Sequence, residues 1–342
     1  MMGWSSGMGG AAITGAAGFL GMHLVRGFEA RGARVLPLVR TLDTPKVGFI
    51  PRGARTLDLA WSEPSLLEGF DVVVHAAGLR DRYGVDSATY RAANVELTER
   101  TMRAASVAGV RRFVLVSCVS VYGFPARLPV NEDYPYAPRT LQAATKVESE
   151  MRAKRAAHEL GLDLVIVRPT IIYGPGDRTG MIVKMAALMR ARAYRIVGDG
   201  ENILHLAHID DVVEGVWLAA ERPEAERQDF ILAGPETVTL TELSAIIAHT
   251  VGAPLSRTRV PVGLARAVAT VVDVAAYRGL AFTGREPPVN HEKLDVLTLP
   301  VSFDVTKAGR RLGFSPRVGY DEGIMRTLRG GWPALARAGA TP

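Results

Sequence analysis

The chain has 342 residues, enough for one large domain or two linked ones. Hydrophobic residues make up 48% and charged residues 22%, an ordinary globular balance, with a net charge of +6 and a pI ≈ 9.6. A single cysteine, Cys118, excludes an intrachain disulfide and fits a reducing cytoplasm; Lys and Arg are scattered, with no basic-aromatic stripe for single-stranded nucleic acid.

The opening Met1-Met2-Gly3-Trp4-Ser5-Ser6-Gly7 has no basic segment followed by an apolar core, so it reads as a loose tail and not as a signal peptide. Ala11-Ala12-Ile13 then predicts a strand, and Phe19-Leu20-Met22-His23-Leu24-Val25-Phe28 a helix over about 20–31. Between them lies Thr14-Gly15-Ala16-Ala17-Gly18-Phe19-Leu20-Gly21, a glycine-rich strand-to-helix turn. Gly15 permits the sharp turn, Gly18 lets backbone N–H groups approach a pyrophosphate, and Gly21 lets the helix lie close to the sheet. The helix dipole favours a diphosphate at that N-terminus.

Further strands are expected at Arg34–Val39, Arg55–Leu57, Asp71–Ala77, Arg112–Ser117 and Leu162–Val167, although Pro37 is awkward in a central strand. Helical patterns occupy about 87–109 and 140–159. Strand and helix in repetition imply a doubly wound parallel sheet, with ligands at the strand ends. Beyond Pro169 come a turn at Pro175-Gly176-Asp177, a helix from Met181 to Arg192 and another from Asp210-Asp211 to about Ala220. A strand at Phe230–Leu232 and a helix over Thr239–Val251 follow. Val262, Leu264, Ala265, Val268, Val271, Val272 and Ala275 have helical spacing; this reads as a core-facing helix, with a lid over a lipophilic substrate, or a surface that meets a partner or a membrane, as the sharper alternative. Arg266, Asp273 and Arg278 interrupt Val262–Phe282, so no membrane span is expected. The expected division is a tail at 1–9, a nucleotide-binding domain at 10–170 with parts of 203–235, a substrate domain at 171–202 and 236–332, and a tail at 333–342.

An ordered series of segments carries a family likeness. After the glycine turn come Asp58-Leu59, His75-Ala76-Ala77-Gly78, Asn94-Val95, Val121-Tyr122-Gly123, Lys146 and Arg168-Pro169. Tyr173-Gly174-Pro175-Gly176-Asp177 and His208-Ile209-Asp210-Asp211 follow. From about residue 10 to 332 the chain resembles an extended short-chain dehydrogenase/reductase, of the NAD(P)-dependent epimerase/dehydratase family. Gly284-Arg285-Glu286-Pro287-Pro288 and Phe303-Asp304-x-x-Lys307-Ala308 are similar to its 3β-hydroxysteroid dehydrogenase-like branch. The resemblance implies an α/β, Rossmann-type domain with a smaller C-terminal substrate-binding domain. It implies that Gly15, Ala17, Gly18, Phe19, Leu20 and Gly21 hold the cofactor diphosphate, and that Asp58 and Leu59 contact the adenine. Ala76, Ala77 and Gly78 would line the nicotinamide side, Ile171 and Ile172 would pass beside the carboxamide, Lys146 would hold the nicotinamide ribose, and Asn94 and Pro169 would also contact the cofactor. Strand two ends in Val39-Arg40, not in an acidic residue. A guanidinium there suits a 2′-phosphate, so NADP is expected over NAD.

The family places a Tyr four residues before its Lys, on one helix face, and a Ser near the end of the fifth strand. Here Lys146 is preceded by Gln142, and counting back from Val121-Tyr122-Gly123 puts Cys118 in the Ser position. A carboxamide has no proton to transfer near pH 7. A thiol is a weak hydrogen-bond donor, and Cys118 reads as inert packing, with a nucleophile as the sharper alternative. Ser117 or Ser120 would take over substrate orientation, and Tyr83, Tyr122 or Tyr173 could supply the missing phenol. Tyr136 and Tyr134 stand ten and twelve residues before Lys146, outside the helix face. His75 reads as structural, His205 and His208 lack metal-ligand spacing, and Asp210-Asp211 reads as an N-cap and first turn. Three readings stay open: an NADP-dependent oxidoreductase on a hydrophobic ketone or alcohol, a redox-neutral isomerase, epimerase, dehydratase or cyclase, and a cofactor-binding protein without turnover. The expected partners are a lipophilic small molecule and a second copy of the chain, with no nucleic acid.

Overall fold

The computed structural model describes residues 8–42, 50–56, 64–80, 84–256, 258–277 and 290–330. Seven parallel strands form the central sheet: β1 (Gly10–Thr14), β2 (Arg34–Val39), β3 (Arg55–Thr56), β4 (Val72–His75), β5 (Arg112–Val116), β6 (Asp163–Pro169) and β8 (Asp229–Leu232). Their order is β8-β6-β5-β4-β1-β2-β3. β1 pairs with both β2 and β4, so the winding reverses there. That switch point opens a crevice at the carboxyl ends of β1 and β4, where doubly wound sheets take their ligands. β3 reaches only Leu38 and Val39 of β2, so Pro37 faces no ladder on that side.

The strands are short apolar runs because both faces are covered. On one face α1 (Phe19–Glu29), α6 (Ile209–Glu221) and α10 (Thr306–Leu312) pack Leu24, Phe28, Val212, Val216 and Leu312 against Ile13, Val74 and Phe230. On the other, α3 (Leu97–Val107) and α4 (Leu141–Leu160) pack Met102, Ala105, Ala153 and Ala157 against Val73, Phe113 and Ile166. A separate core joins α5 (Met181–Arg190), α7 (Leu240–Val251) and α11 (Tyr320–Arg329) through Met185, Met189, Leu243, Ile247 and Ile324.

The single helix expected over 87–109 is three pieces: α2 (Ser87–Arg91), a π-helical turn (Ala92–Glu96) and α3. The extra residue in the turn carries Asn94 into the interior, where it is 1% exposed. α6 is capped by the His208 side chain, which accepts from Asp210 N, and Asp210 and Asp211 occupy its first turn. Asp211 instead accepts the backbone N–H groups of Arg317 and Val318. Helix α8 (Val262–Tyr277) does not turn its large side chains inward: Leu264, Val268, Val271 and Val274 are exposed. It packs through Ala265 and Ala269 against Leu294 of α9 (His291–Thr298), so its small residues set the contact. Among the described residues no helix is long and apolar enough to cross a membrane.

Candidate active site

The glycine turn is dictated by backbone crowding. Gly15 has φ +69°, and a Cβ there would stand 2.7 Å from Ala76 O. A Cβ at Gly21 would stand 2.1 Å from Gly15 O, so only glycine lets α1 start this close to the turn. Gly18 N donates to Gly15 O at 2.8 Å. Gly18, the N-cap of α1, offers no side-chain cap, and no acidic residue stands in the first turn. The first N–H groups of a helix have no acceptor within it, so an anion is the partner this end is built for.

The ends of β1 and β4 are tied together beneath the turn. Ala77 N donates to Thr14 Oγ1 at 3.1 Å, and Thr14 Oγ1 in turn donates to His75 Nδ1 at 3.0 Å. Thr98 Oγ1, which gives its own proton to Asn94 O, then accepts from His75 Nε2 at 3.2 Å. This assigns a neutral imidazole protonated on Nε2. Burial, with Lys146 nearby, pushes its pKa down to about 3, so His75 is a structural strut. Asn94 Oδ1 accepts from Leu79 N at 2.7 Å, and Nδ2 donates to Thr145 Oγ1 at 3.0 Å, fixing the loop after β4 to α4.

Gly78 sits on that loop. A Cβ there would stand 3.0 Å from Asn94 Oδ1 and 3.2 Å from Lys146 Nζ, so glycine keeps the space in front of both side chains open. Pro169 ends β6, and Ile171 and Ile172 follow in β7 (Ile171–Tyr173), at the same carboxyl edge of the sheet. Arg40 is exposed just past the end of β2, with no hydrogen bond or ion pair among the described residues. Asp58, Leu59 and Tyr83 lie outside the described residues, as does the segment 284–288.

Helix α4 carries Gln142 and Lys146 on one face. Thr140 caps it by accepting from Ala143 N, and Gly161, at φ 65°, ends it. Lys146 is 9% exposed and its Nζ donates to Val116 O at 3.1 Å. Burial pushes its pKa down, and the nearness of Cys118 and Glu150 partly opposes that. One turn earlier, three side chains close a ring. Ser120 Oγ donates to Gln142 Oε1 at 3.4 Å, which leaves Cys118 Sγ–H to donate to Ser120 Oγ at 2.8 Å. Gln142 Nε2 reaches Cys118 Sγ at 3.8 Å. Ser120 is therefore the serine beside Gln142. Ser117 is not: it is buried, its N donates to Val167 O, and its Oγ has no hydrogen-bond partner among the described residues.

Of the candidate replacement phenols, Tyr122 and Tyr173 are engaged elsewhere, and so is Tyr136. Tyr122 donates to Glu132 O and accepts from Arg168 Nη1 at 3.0 Å. Tyr136 donates to Glu150 Oε2 at 2.6 Å and accepts from Arg168 Nη2. Burial pushes the pKa of both upward. Tyr173 is buried against Tyr320 and His208. His205 bridges Gly234 O and Phe303 N. Among the described residues no group of three or more His, Cys, Asp or Glu side chains is placed to hold a metal ion.

Sequence reasoning missed the pair that seats α4. Arg168 and Glu150 are both 0% exposed and meet through Nε and Nη2, the shortest contact being 2.6 Å. Glu150 lies four residues beyond Lys146, so this pair pins the helix face that carries Lys146 to β6. That spacing was the only available signal.

This geometry agrees with what the chain is similar to. A model of the NAD-dependent epimerase/dehydratase family matches residues 11–233. The 4-hydroxy-2-methyl-3-oxo-4-farnesyl-3,4-dihydroquinoline-1-oxide ketoreductase of Stigmatella aurantiaca is 32% identical over 333 residues, covering 94% of this chain and 96% of that protein. The 2-alkyl-3-oxoalkanoate reductase of Stenotrophomonas maltophilia is 30% identical over 332 residues, covering 92% and 97%. In fold, the chain resembles the UDP-glucuronic acid 4-epimerase from Bacillus cereus in complex with NAD, with a TM-score of 0.74 at 22% identity over 94% and 96% of the two chains. The chain belongs to the NAD-dependent epimerase/dehydratase family, and it is an NAD(P)-dependent, oxidoreductase- or epimerase-like enzyme of the extended short-chain dehydrogenase/reductase superfamily.

Proposed function

We propose that the protein is an NADP-dependent reductase of a hydrophobic ketone. The observation that carries this reading is the ring of Cys118, Ser120 and Gln142 set one helical turn from buried Lys146. It offers hydrogen-bond donors for a substrate oxygen at the end of the sheet where the family binds its cofactor. The full-length similarity to two ketone-reducing enzymes supports it.

The glycine cradle at 15, 18 and 21 fits a dinucleotide, because a Cβ at any of the three would close it. Gly15, Ala17, Gly18, Phe19, Leu20 and Gly21 would take the diphosphate through backbone N–H groups, and Arg40 the 2′-phosphate. Asp58 and Leu59 keep the adenine role by motif. Ala76, Ala77, Gly78, Pro169, Ile171 and Ile172 would border the nicotinamide, with Asn94 and Lys146 beside its ribose. The bound cofactor supplies a hydride to the carbonyl carbon. Gln142 Nε2 and Ser120 Oγ orient the carbonyl oxygen, and the Lys146 ammonium stabilises the charge that develops on it. Residues 171–202 and 236–332 would supply the apolar side of the substrate pocket. A reducing, cytoplasmic setting keeps the one free thiol, Cys118, intact, and a homodimer is the assembly we expect.

A redox-neutral reaction is the second reading, favoured by Gln142, which has no proton to exchange. One experiment separates the two. Purified protein is titrated with NADPH and NADH by fluorescence, then incubated with NADPH and a panel of lipophilic ketones and enones. Stoichiometric NADPH loss, with a product two hydrogens heavier, supports reduction. A product of unchanged mass, with NADPH intact, overturns it in favour of isomerisation or cyclisation. Cofactor binding with no product from any compound favours a protein without turnover.

A further inference from the structure

We propose that Cys118 is the proton donor of the reaction, in place of the phenol that Gln142 replaces. This rests on the reading of the protein as a ketone reductase. Ketone reduction needs a proton at the carbonyl oxygen as hydride arrives at carbon, and the described groups around the ring can be taken in turn. Gln142 has no acidic proton, and serine hydroxyls are weak acids. Lys146 Nζ donates to Val116 O and acts through its retained charge, the role already assigned to it. His75 on β4 is neutral and held between Thr14 and Thr98. Glu150 is occupied by Arg168 and Tyr136, and Tyr122 and Tyr136 are held in that same buried network. The Cys118 thiol remains, a neutral donor whose S–H already points at an oxygen in the half-buried ring.

Its surroundings suit the task. Cys118, Ser120 and Gln142 are each half-buried, so the ring is open to a substrate, and Gly78 keeps space free beside Lys146 Nζ. The S–H already donates to an oxygen, Ser120 Oγ, at 2.8 Å. A substrate carbonyl oxygen replaces that hydroxyl as the acceptor. The transferred hydride forms the new C–H bond, the carbonyl π pair moves onto oxygen, and that oxygen takes the proton as the S–H bond breaks. The ketone is reduced, the cofactor is oxidised, and sulfur keeps the bonding pair as a thiolate. Gln142 Nε2–H, 3.8 Å from Sγ, and the Lys146 ammonium stabilise the thiolate until solvent returns a proton through the open side. Lys146 of α4 interacts electrostatically with Cys118, and Glu150, which also acts on Lys146, is paired with Arg168.

The chain has one cysteine, so thiolate absorbance reads Cys118 alone. Two measurements are made on the full chain: NADPH-dependent turnover of wild type, Cys118→Ser and Cys118→Ala, and thiolate titration of wild type and Gln142→Leu. Cys118→Ser keeps a hydrogen-bond donor but loses the acid. Both Cys118 variants should lose about 10²–10⁴ in kcat, the usual worth of a general acid, with NADPH Kd unchanged within about twofold. Wild-type kcat should fall as pH rises through the measured thiol titration, a limb that Cys118→Ser lacks. Gln142→Leu should move that titration upward. An active wild type with Cys118→Ser within about threefold of it overturns the proposal alone, as does a titration that Gln142→Leu leaves in place. A wild type that reduces no ketone fails the underlying function reading and overturns the proposal with it.

Discussion

Gly21→Ala tests whether the close approach of α1 to the turn builds the phosphate site. The added Cβ would stand 2.1 Å from Gly15 O, 2.7 Å from Gly15 C and 2.8 Å from Ala16 Cα. All three atoms are backbone, so no rotamer relieves the clash. With ordinary contacts at ~3.5–4.0 Å, the helix start must retreat by about 1 Å. Overpacking of this kind costs about 1–3 kcal/mol, whereas alanine gains ~0.8–1.0 kcal/mol over glycine as a helix former. The balance is a loss of about 0–2 kcal/mol, or a Tm lower by up to ~3 °C at this chain length. Moving one or two phosphate-binding N–H groups by that distance forfeits charge-assisted hydrogen bonds of ~1.5–3 kcal/mol each, so NADPH Kd should rise at least tenfold. Gly309→Ala is the control: its Cβ would meet only Phe314 O, at 3.5 Å, and should gain ~0.5–1 kcal/mol. Thermal melts and NADPH fluorescence titrations read both quantities. A Gly21→Ala protein that melts at or above wild type and binds NADPH equally well refutes the reasoning.

Arg40→Asp should weaken NADPH binding by about ten- to hundredfold, the worth of a charge-assisted contact, and leave NADH binding equal or tighter; parallel fluorescence titrations check it, and an unchanged NADPH/NADH ratio sinks the assignment. Arg168→Met would leave the Glu150 carboxylate buried and unpaired, so urea unfolding should show a loss of about 3–5 kcal/mol; a loss under about 1 kcal/mol would mean that the pair carries little. His75 gives a pH dependence of stability. Its pKa is about 3 in the fold against ~6.5 unfolded, so only the unfolded chain takes up this proton between those values. The stability it contributes is complete above pH ~6.5 and falls by about 1.4 kcal/mol per pH unit on acidification toward 3. His75→Gln should flatten that slope between pH 6 and 4 in urea titrations, and an unaltered slope would count against a neutral, buried imidazole.

The central sheet was legible because its strands are covered on both faces, so Val72–Val74, Phe113–Val116 and Leu164–Val167 read as unbroken apolar runs. The glycine turn was legible because Gly15 and Gly21 answer local demands, a positive φ and a backbone contact, that the flanking strand and helix announce. The π-helical turn at Ala92–Glu96 was not, because one extra residue in an amphipathic pattern leaves no mark that periodicity can find. Nor was the choice between Ser117 and Ser120. The 3-10 turn at Val119–Tyr122 breaks the strand's alternation just where that choice is made. Helix α8 misled because large apolar residues at helical spacing look like a core stripe, while the contact is made by Ala265 and Ala269.

The most consequential omission was charge inside the fold. Arg168 and Glu150 have the composition of surface residues, and only the fold shows them fully buried beside Tyr122 and Tyr136. Their placement separates two things that the family motif joins. One network, Arg168–Glu150, pins α4 to β6; another, Thr14–His75–Thr98–Asn94, binds β1, β4 and the π turn into one frame. Both networks hold Lys146 and the Gly78 loop in position without any contribution from the side chain at 142. That side chain instead meets Cys118 and Ser120 in a ring. In the reaction we propose, the scaffold positions the substrate oxygen, and the identity of these three side chains decides which of them gives it a proton.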